Sequence, residues 1–123
     1  MNPNQDISKK SQGDIGESEA AAYLEANGYE LLKRNFHFGR TGEIDIIARQ
    51  GASLVFVEVK ARTNSSYGDP LFSITPSKQQ KIRTVARGYL YVNKIEDTEC
   101  RFDVITVVKL NGKTKIEHIE NAF

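Results

Sequence analysis

Two segments constrain this chain more than any others: Glu43–Arg49 and Leu54–Lys60, both rich in Ile and Val and separated only by Gln50-Gly51-Ala52-Ser53. So short a connection allows little but a tight reversal, which makes the two an antiparallel hairpin. Turn geometry leaves Arg49 facing either Ser53 or Leu54. A slip of one residue would exchange the two faces of a strand, so the apolar pattern must choose. With Arg49 opposite Leu54, Ile47 faces Phe56, Asp45 faces Glu58 and Glu43 faces Lys60, all on one side of the sheet. Ile44, Ile46, Ala48, Val55, Val57 and Val59 then share the other side. Both faces carry apolar residues, the mark of central strands covered on each side.

The covering elements are legible on either flank. Ile15, Ala20, Ala21, Ala22 and Leu24 recur at helical spacing from Asp14 to Asn27, and Gly28 follows as a left-handed stop. Residues 1–12 are polar and aperiodic and read as a flexible tail. Tyr29–Phe36 reads as a strand, with a turn at Gly39–Gly42 before the hairpin. Ala61–Thr75 is a polar loop long enough to work as a lid or flap. Thr75 followed by Pro76 is the signature of an N-cap with proline in the first helical position, and Ile82, Val85, Ala86, Tyr89 and Leu90 form the apolar stripe of the helix that follows. Phe102–Val108 is β-branched and strand-like. Leu110-Asn111-Gly112-Lys113 turns the chain into a last strand, Thr114–Ile119, expected at an edge. The order is helix, three strands, helix, two strands: an α/β fold with a central mixed sheet flanked by helices.

At 123 residues the chain is long enough for one core and not two, so residues 13–123 form a single domain. No apolar run approaches the roughly 20 residues that cross a bilayer, and Met1–Gln12 lacks the apolar segment of a secretory signal, which points to the cytoplasm and away from membranes. One cysteine, Cys100, excludes an internal disulfide, and with only His37 and His118 beside it there is no zinc-ligand spacing. A net charge of +1 gives no global argument for a nucleic-acid partner. A local one exists: Lys78, Lys81, Arg83, Arg87 and Lys94 follow one another with no acid between them.

The chemistry gathers on the hairpin. Two carboxylates facing each other at about 5 Å between Cβ atoms repel. A Mg²⁺ or Mn²⁺ ion shared by Asp45 and Glu58 removes that conflict, because hard cations prefer carboxylate oxygens. Lys60 stands two residues beyond Glu58, so the strand period puts both side chains on one face. An ammonium there suits phosphodiester hydrolysis, which must activate a water or neutralise charge growing on a phosphate. Glu43 opposite Lys60 is its expected ion-pair partner. Glu17 shares a helix face with Ala20, Ala21 and Leu24 and should point to the sheet, as a metal ligand or a base that positions water. The competing view, that these are exposed charges of an amphipathic strand, fits poorly beside Val55, Phe56 and Val57, which look buried.

These residues resemble the PD-(D/E)xK restriction-endonuclease-like superfamily, with Asp45 followed on the next strand by Glu58-Val59-Lys60. Ile44 stands where the name-giving proline would be. The spacing and Glu17 are similar to archaeal Holliday-junction resolvases. Gly16-Glu17-x-x-Ala20, Asn35-Phe36, Gly42-Glu43-Ile44-Asp45-Ile46-Ile47-Ala48, Phe56-Val57-Glu58-Val59-Lys60-x-Arg62 and Arg101-Phe102-Asp103-Val104 together resemble the bacterial YraN-type family of predicted endonucleases. The resemblance implies an αβββαβ core, with Asp45, Glu58 and Glu17 around Mg²⁺ or Mn²⁺ and Lys60 as catalytic lysine. Arg62, Lys78, Gln79, Lys81 and Arg87 are the candidate DNA contacts. It further implies cleavage of DNA, branched or otherwise structured, and a homodimer where two strands are cut. A nucleic-acid-binding module with the same fold and little or no cleavage is the alternative. Asp103 is expected to pair with Arg101 or Arg62 rather than to act in catalysis.

Overall fold

The computed structural model describes the backbone of residues 4–62 and 74–123 and the side chains of residues 14–62 and 74–123. The elements run α1 (Asn4–Ala26), β1 (Glu30–His37), β2 (Glu43–Gln50), β3 (Ser53–Arg62), α2 (Pro76–Val92), β4 (Glu99–Leu110) and β5 (Lys113–Ile119). Among the described residues one sheet holds five strands in the order β1-β2-β3-β4-β5. Only β3 and β4 are parallel, so the chain must recross the sheet between them, and α2 lies in that crossover. β5 is at an edge, as expected.

The hairpin register is the one the apolar pattern selected, with Arg49↔Leu54, Ile47↔Phe56 and Ile46↔Val57. Two cores follow from the alternation. On one face Ala20, Ala21 and Leu24 of α1 pack on Ile46, Ala48, Val55, Val57, Ile105 and Val107. On the other Ile82, Val85, Ala86 and Tyr89 of α2 pack on Ile44, Ile47, Leu54, Phe56 and Phe102. At roughly 1.5–3 kcal/mol for each large apolar side chain taken from water, this double burial is the main stabilising contribution. It fixes β2 and β3 as rigid central strands.

Helix ends are set by local chemistry. Thr75 Oγ1 accepts from the Lys78 backbone N–H at 3.1 Å with Pro76 in the first turn. Gly28 takes a positive φ of 86°, and the Tyr29 N–H closes back on the Leu24 carbonyl at 3.0 Å, ending α1.

Two sequence expectations change here. Helix α1 begins at Asn4, so helix covers residues 4–12 that the sequence reading assigned to a tail; Gln5, Lys9, Lys10 and Gln12 are good helix formers and no proline intervenes. Ile15, counted with the apolar stripe, is 48% exposed because α1 turns Gly16 and Glu17 to the sheet instead. Most of the polar loop before α2, residues 63–73, expected to work as a lid or flap, lies outside the described residues. Among the described residues no helix is long and apolar enough to cross a membrane.

Candidate active site

The site begins where β2 leaves β3. The β2–β3 register runs as far as Ile46↔Val57, and on the other side β1 passes from Arg34↔Ile46 to Phe36↔Ile44 across Asn35, whose φ is +54°. A left-handed residue inside a strand twists it out of alternation. Asp45 lies at this break, and its Oδ2 accepts the Val59 N–H at 2.8 Å, so a side chain continues the bonding where the backbones part. The kink corrects one expectation: Ile44, assigned to the face of Ile46 and Ala48, packs on the α2 side. It also means that Asp45 and Glu58 meet at an opening in the sheet, not within a closed ladder.

Asp45 lines two cavities at once. One, of about 560 Å³ on the α1 side, is walled by Glu17, Asn35, His37, Glu43 and Arg62 among others. The second, of about 200 Å³ on the α2 side, is walled by Glu43, Glu58, Lys78 and Lys81 with Ile82 and Val85 behind them. Burial, then the Glu58 charge, push the Asp45 carboxyl up to about 7; the Val59 N–H opposes this, and Glu17 and Glu43 add to it. Such a carboxyl holds its proton near neutrality unless a cation replaces it.

Glu58 and Lys60 project from β3 with only 12% and 11% of their side chains exposed, and the Lys60 Nζ lies 3.6 Å from Glu58 Oε1. Lys78 at the start of α2 brings a second ammonium to the same oxygen at 3.1 Å. Burial lowers the Lys60 pKa, helped by the neighbouring Lys78 and Arg62 and opposed by Glu58. Of two ammonium groups sharing one carboxylate, the less exposed sheds its proton more readily. Glu43, expected to pair with Lys60, instead faces His37 across β1, with Nε2 and Oε2 3.1 Å apart. The break at Asp45 directs Glu43 to its β1 neighbour and leaves Lys60 with Glu58, its neighbour on the same strand face.

Glu17 reaches the larger cavity because α1 presses onto β3. A Cβ at Gly16 would sit 2.7 Å from the Ala61 Cβ, closer than carbon atoms approach, so glycine is what permits the contact. Glu17, 7% exposed, accepts from Arg34 Nε at 3.1 Å. Its pKa is raised by burial against the pull of Arg34 and Asn35.

The candidate DNA contacts divide. Lys78 and Lys81 line the smaller cavity and Arg62 the larger. The Gln79 amide instead donates to the Ile74 carbonyl at 3.1 Å, tying down the start of α2. Arg87 is exposed, bonds Thr84 at 3.3 Å, and lines neither cavity, because it lies about two turns further along the helix.

A polar cluster that the sequence reading did not assemble lies on the α1 face. Asp103, fully buried, receives Arg101 Nη2 at 2.8 Å, His118 Nε2 at 2.7 Å and the Asn121 N–H at 3.1 Å; Tyr23 meets the other His118 nitrogen at 3.3 Å. Asp103 pairs with Arg101, as expected, while its bond to His118 depends on β5 folding back. These partners hold the Asp103 pKa below its ordinary value despite burial. The cluster fastens the chain's C-terminal strand to the sheet.

A family model, "Uncharacterised protein family UPF0102", matches residues 16–107. The chain belongs to the UPF0102 family. It is the YraN-type family that the motif string resembled. A UPF0102 protein of Geobacter metallireducens is 46% identical over 95% of both chains. One of Lachnoclostridium phytofermentans is 48% identical over 95% of this chain and 96% of its own. UPF0102 protein GSU0650 of Geobacter sulfurreducens is 47% identical over 93% and 89%. The matched segment contains Glu17, Asp45, Glu58 and Lys60 and stops before His118.

The donor set suits a hard cation of the Mg²⁺ type. Such ions keep several waters and take one or two protein carboxylates, and Asp45 with Glu58 supplies two at one opening. Among the described residues no three His, Cys, Asp or Glu side chains come together closely enough to enclose an ion. Glu17, committed to Arg34, therefore faces the site from across the larger cavity.

Proposed function

We propose that this member of UPF0102 is a divalent-metal-dependent endonuclease that hydrolyses DNA phosphodiester bonds, in branched or otherwise structured DNA. The observation that carries the reading is the meeting of Asp45, Glu58 and Lys60 where β2 and β3 part. There a half-buried carboxylate with a raised pKa and a second carboxylate border a cavity, and the Lys60 ammonium lies 3.6 Å from the second. An Mg²⁺ or Mn²⁺ ion held by Asp45 and Glu58 would act as a Lewis acid on a phosphate oxygen. Lys60 would set its ammonium against the negative charge that grows on the phosphate. Lys78 and Lys81 supply positive charge at the mouth of the smaller cavity for the phosphate backbone. Glu17 faces the opposite cavity, where it would orient water. A cut through both strands would call on two copies, hence a homodimer, and a DNA substrate implies work in the cytoplasm.

The test offers supercoiled, linear, flapped and four-way-junction DNA to the protein with Mg²⁺, Mn²⁺ or EDTA, beside Lys60→Ala. Cleavage by the wild type that EDTA and Lys60→Ala both abolish supports the reading; equal outcomes for wild type and variant refute it. One observation favours a second reading, a DNA-binding module with little cleavage: Glu58 Oε1 already faces two ammonium groups. In that case calorimetry would find DNA binding without cleavage on any substrate.

A further inference from the structure

Two lysines crowd one oxygen of Glu58, and only one of them stands on the same strand as it. A carboxylate oxygen neutralised by two cations is a weak ligand for a third. Lys60 is 11% exposed and grows from the same strand as Glu58. Lys78 is 41% exposed and reaches in from α2. Glu58 is what favours its charge there. Lys78 occupies the third residue of the helix, where aligned peptide dipoles disfavour a cation, and the first turn of α2 contains no acid to offset it. The same end, with its free N–H groups, favours an anion. Lys81, one turn on, borders the same cavity.

We propose that Lys78 is a placeholder cation, held on Glu58 in the metal-free chain and transferred to a DNA phosphate when DNA binds. Its departure uncovers the Glu58 oxygen, so DNA and the divalent cation load the site together and each tightens the other by the same factor. This rests on the nuclease reading and adds its regulation: the centre gains full metal affinity only where a phosphate is in place. The long, flexible lysine stem makes the exchange a side-chain movement with no change of fold.

The experiment is calorimetric titration of Mn²⁺ into wild type, Lys78→Met and Lys81→Met, each alone and with a phosphorothioate DNA duplex. Circular dichroism would verify that all three are folded alike. Lys78→Met alone should bind Mn²⁺ roughly tenfold tighter than wild type, while DNA should tighten wild type by roughly that factor and leave Lys78→Met unchanged. Lys81→Met, which removes the same charge from the same helix end, should match wild type toward Mn²⁺ and bind DNA more weakly. An Mn²⁺ affinity of Lys78→Met no tighter than wild type overturns the proposal, as does an equal gain in Lys81→Met. If those failures come with metal-dependent cleavage by the wild type, the nuclease reading stands and this inference alone falls; Mn²⁺ binding by none of the three removes both.

Discussion

Replacing Asp45 by asparagine should stabilise the metal-free protein at alkaline pH. Asparagine keeps the shape and can still accept the Val59 N–H through its carbonyl oxygen, so what is lost is the charge. The folded-state pKa is about 7 against an ordinary 3.8. A group with a raised folded pKa binds protons more tightly in the native state, so its contribution is fully present below about pH 4 and is lost as pH rises through about 7. Each unit is worth about 1.4 kcal/mol, so roughly three units set an upper bound of about 4 kcal/mol, and partial solvation of the opening brings the expected effect nearer 2 kcal/mol. Urea unfolding in EDTA at pH 4, 6 and 8.5 would measure it. Asp45→Asn should be more stable than wild type by about 2 kcal/mol at pH 8.5 and nearly equal at pH 4. Saturating Mg²⁺ should then close or reverse the gap at pH 8.5, since the ion favours only the carboxylate. A variant less stable than wild type at pH 8.5 without metal, or a gap independent of pH, would refute the reading of Asp45 as an uncompensated, half-buried acid.

Lys60→Ala should lower DNA cleavage at least about 100-fold while altering the urea midpoint little, a ratio read by gel assay beside unfolding curves. Gly16→Ala should cost about 1–3 kcal/mol because its Cβ meets Ala61, and adding Ala61→Gly should recover much of that loss. Thr75→Ala should cost about 1 kcal/mol by removing the cap on the Lys78 N–H, checked by thermal unfolding. Asp103→Asn should cost about 3 kcal/mol near neutral pH, since Arg101 and His118 would lose a fully buried partner. Asp103 has a depressed folded pKa, so its stabilisation is present above about pH 4 and is lost at more acid pH; the gap between variant and wild type should narrow there in acid titrations followed by circular dichroism.

Much of the site could be read from the chain because β-strand chemistry is local. The register Arg49↔Leu54 followed from which side chains must be buried together, and it brought Asp45 near Glu58 and put Lys60 beside Glu58. Glu17 was found by helical spacing, and the Thr75-Pro76 and Asn111-Gly112 signals marked a helix start and a turn that are both present. Gln79, expected at a phosphate, donates to a backbone carbonyl, because a glutamine near a helix start satisfies either, and only the folded path of residue 74 brings that carbonyl within reach. The helical course of residues 4–12 escaped because, without an apolar stripe, helix propensity alone leaves little pattern to detect.

The sequence by itself determined the alternating strands, the two apolar helix faces and the residue types of the centre, since each depends on neighbours a few positions apart. The tertiary structure alone decided how the centre opens. Asn35 and Asp45 are ten positions apart and break alternation together only because β1 lies against β2, and that break frees Asp45 to border both cavities. Lys78 comes to Glu58 from across the α2 crossover, and His118 reaches Asp103 only when the last strand closes the sheet edge. Such pairings depend on the three-dimensional path of the backbone, which no local pattern of side chains encodes.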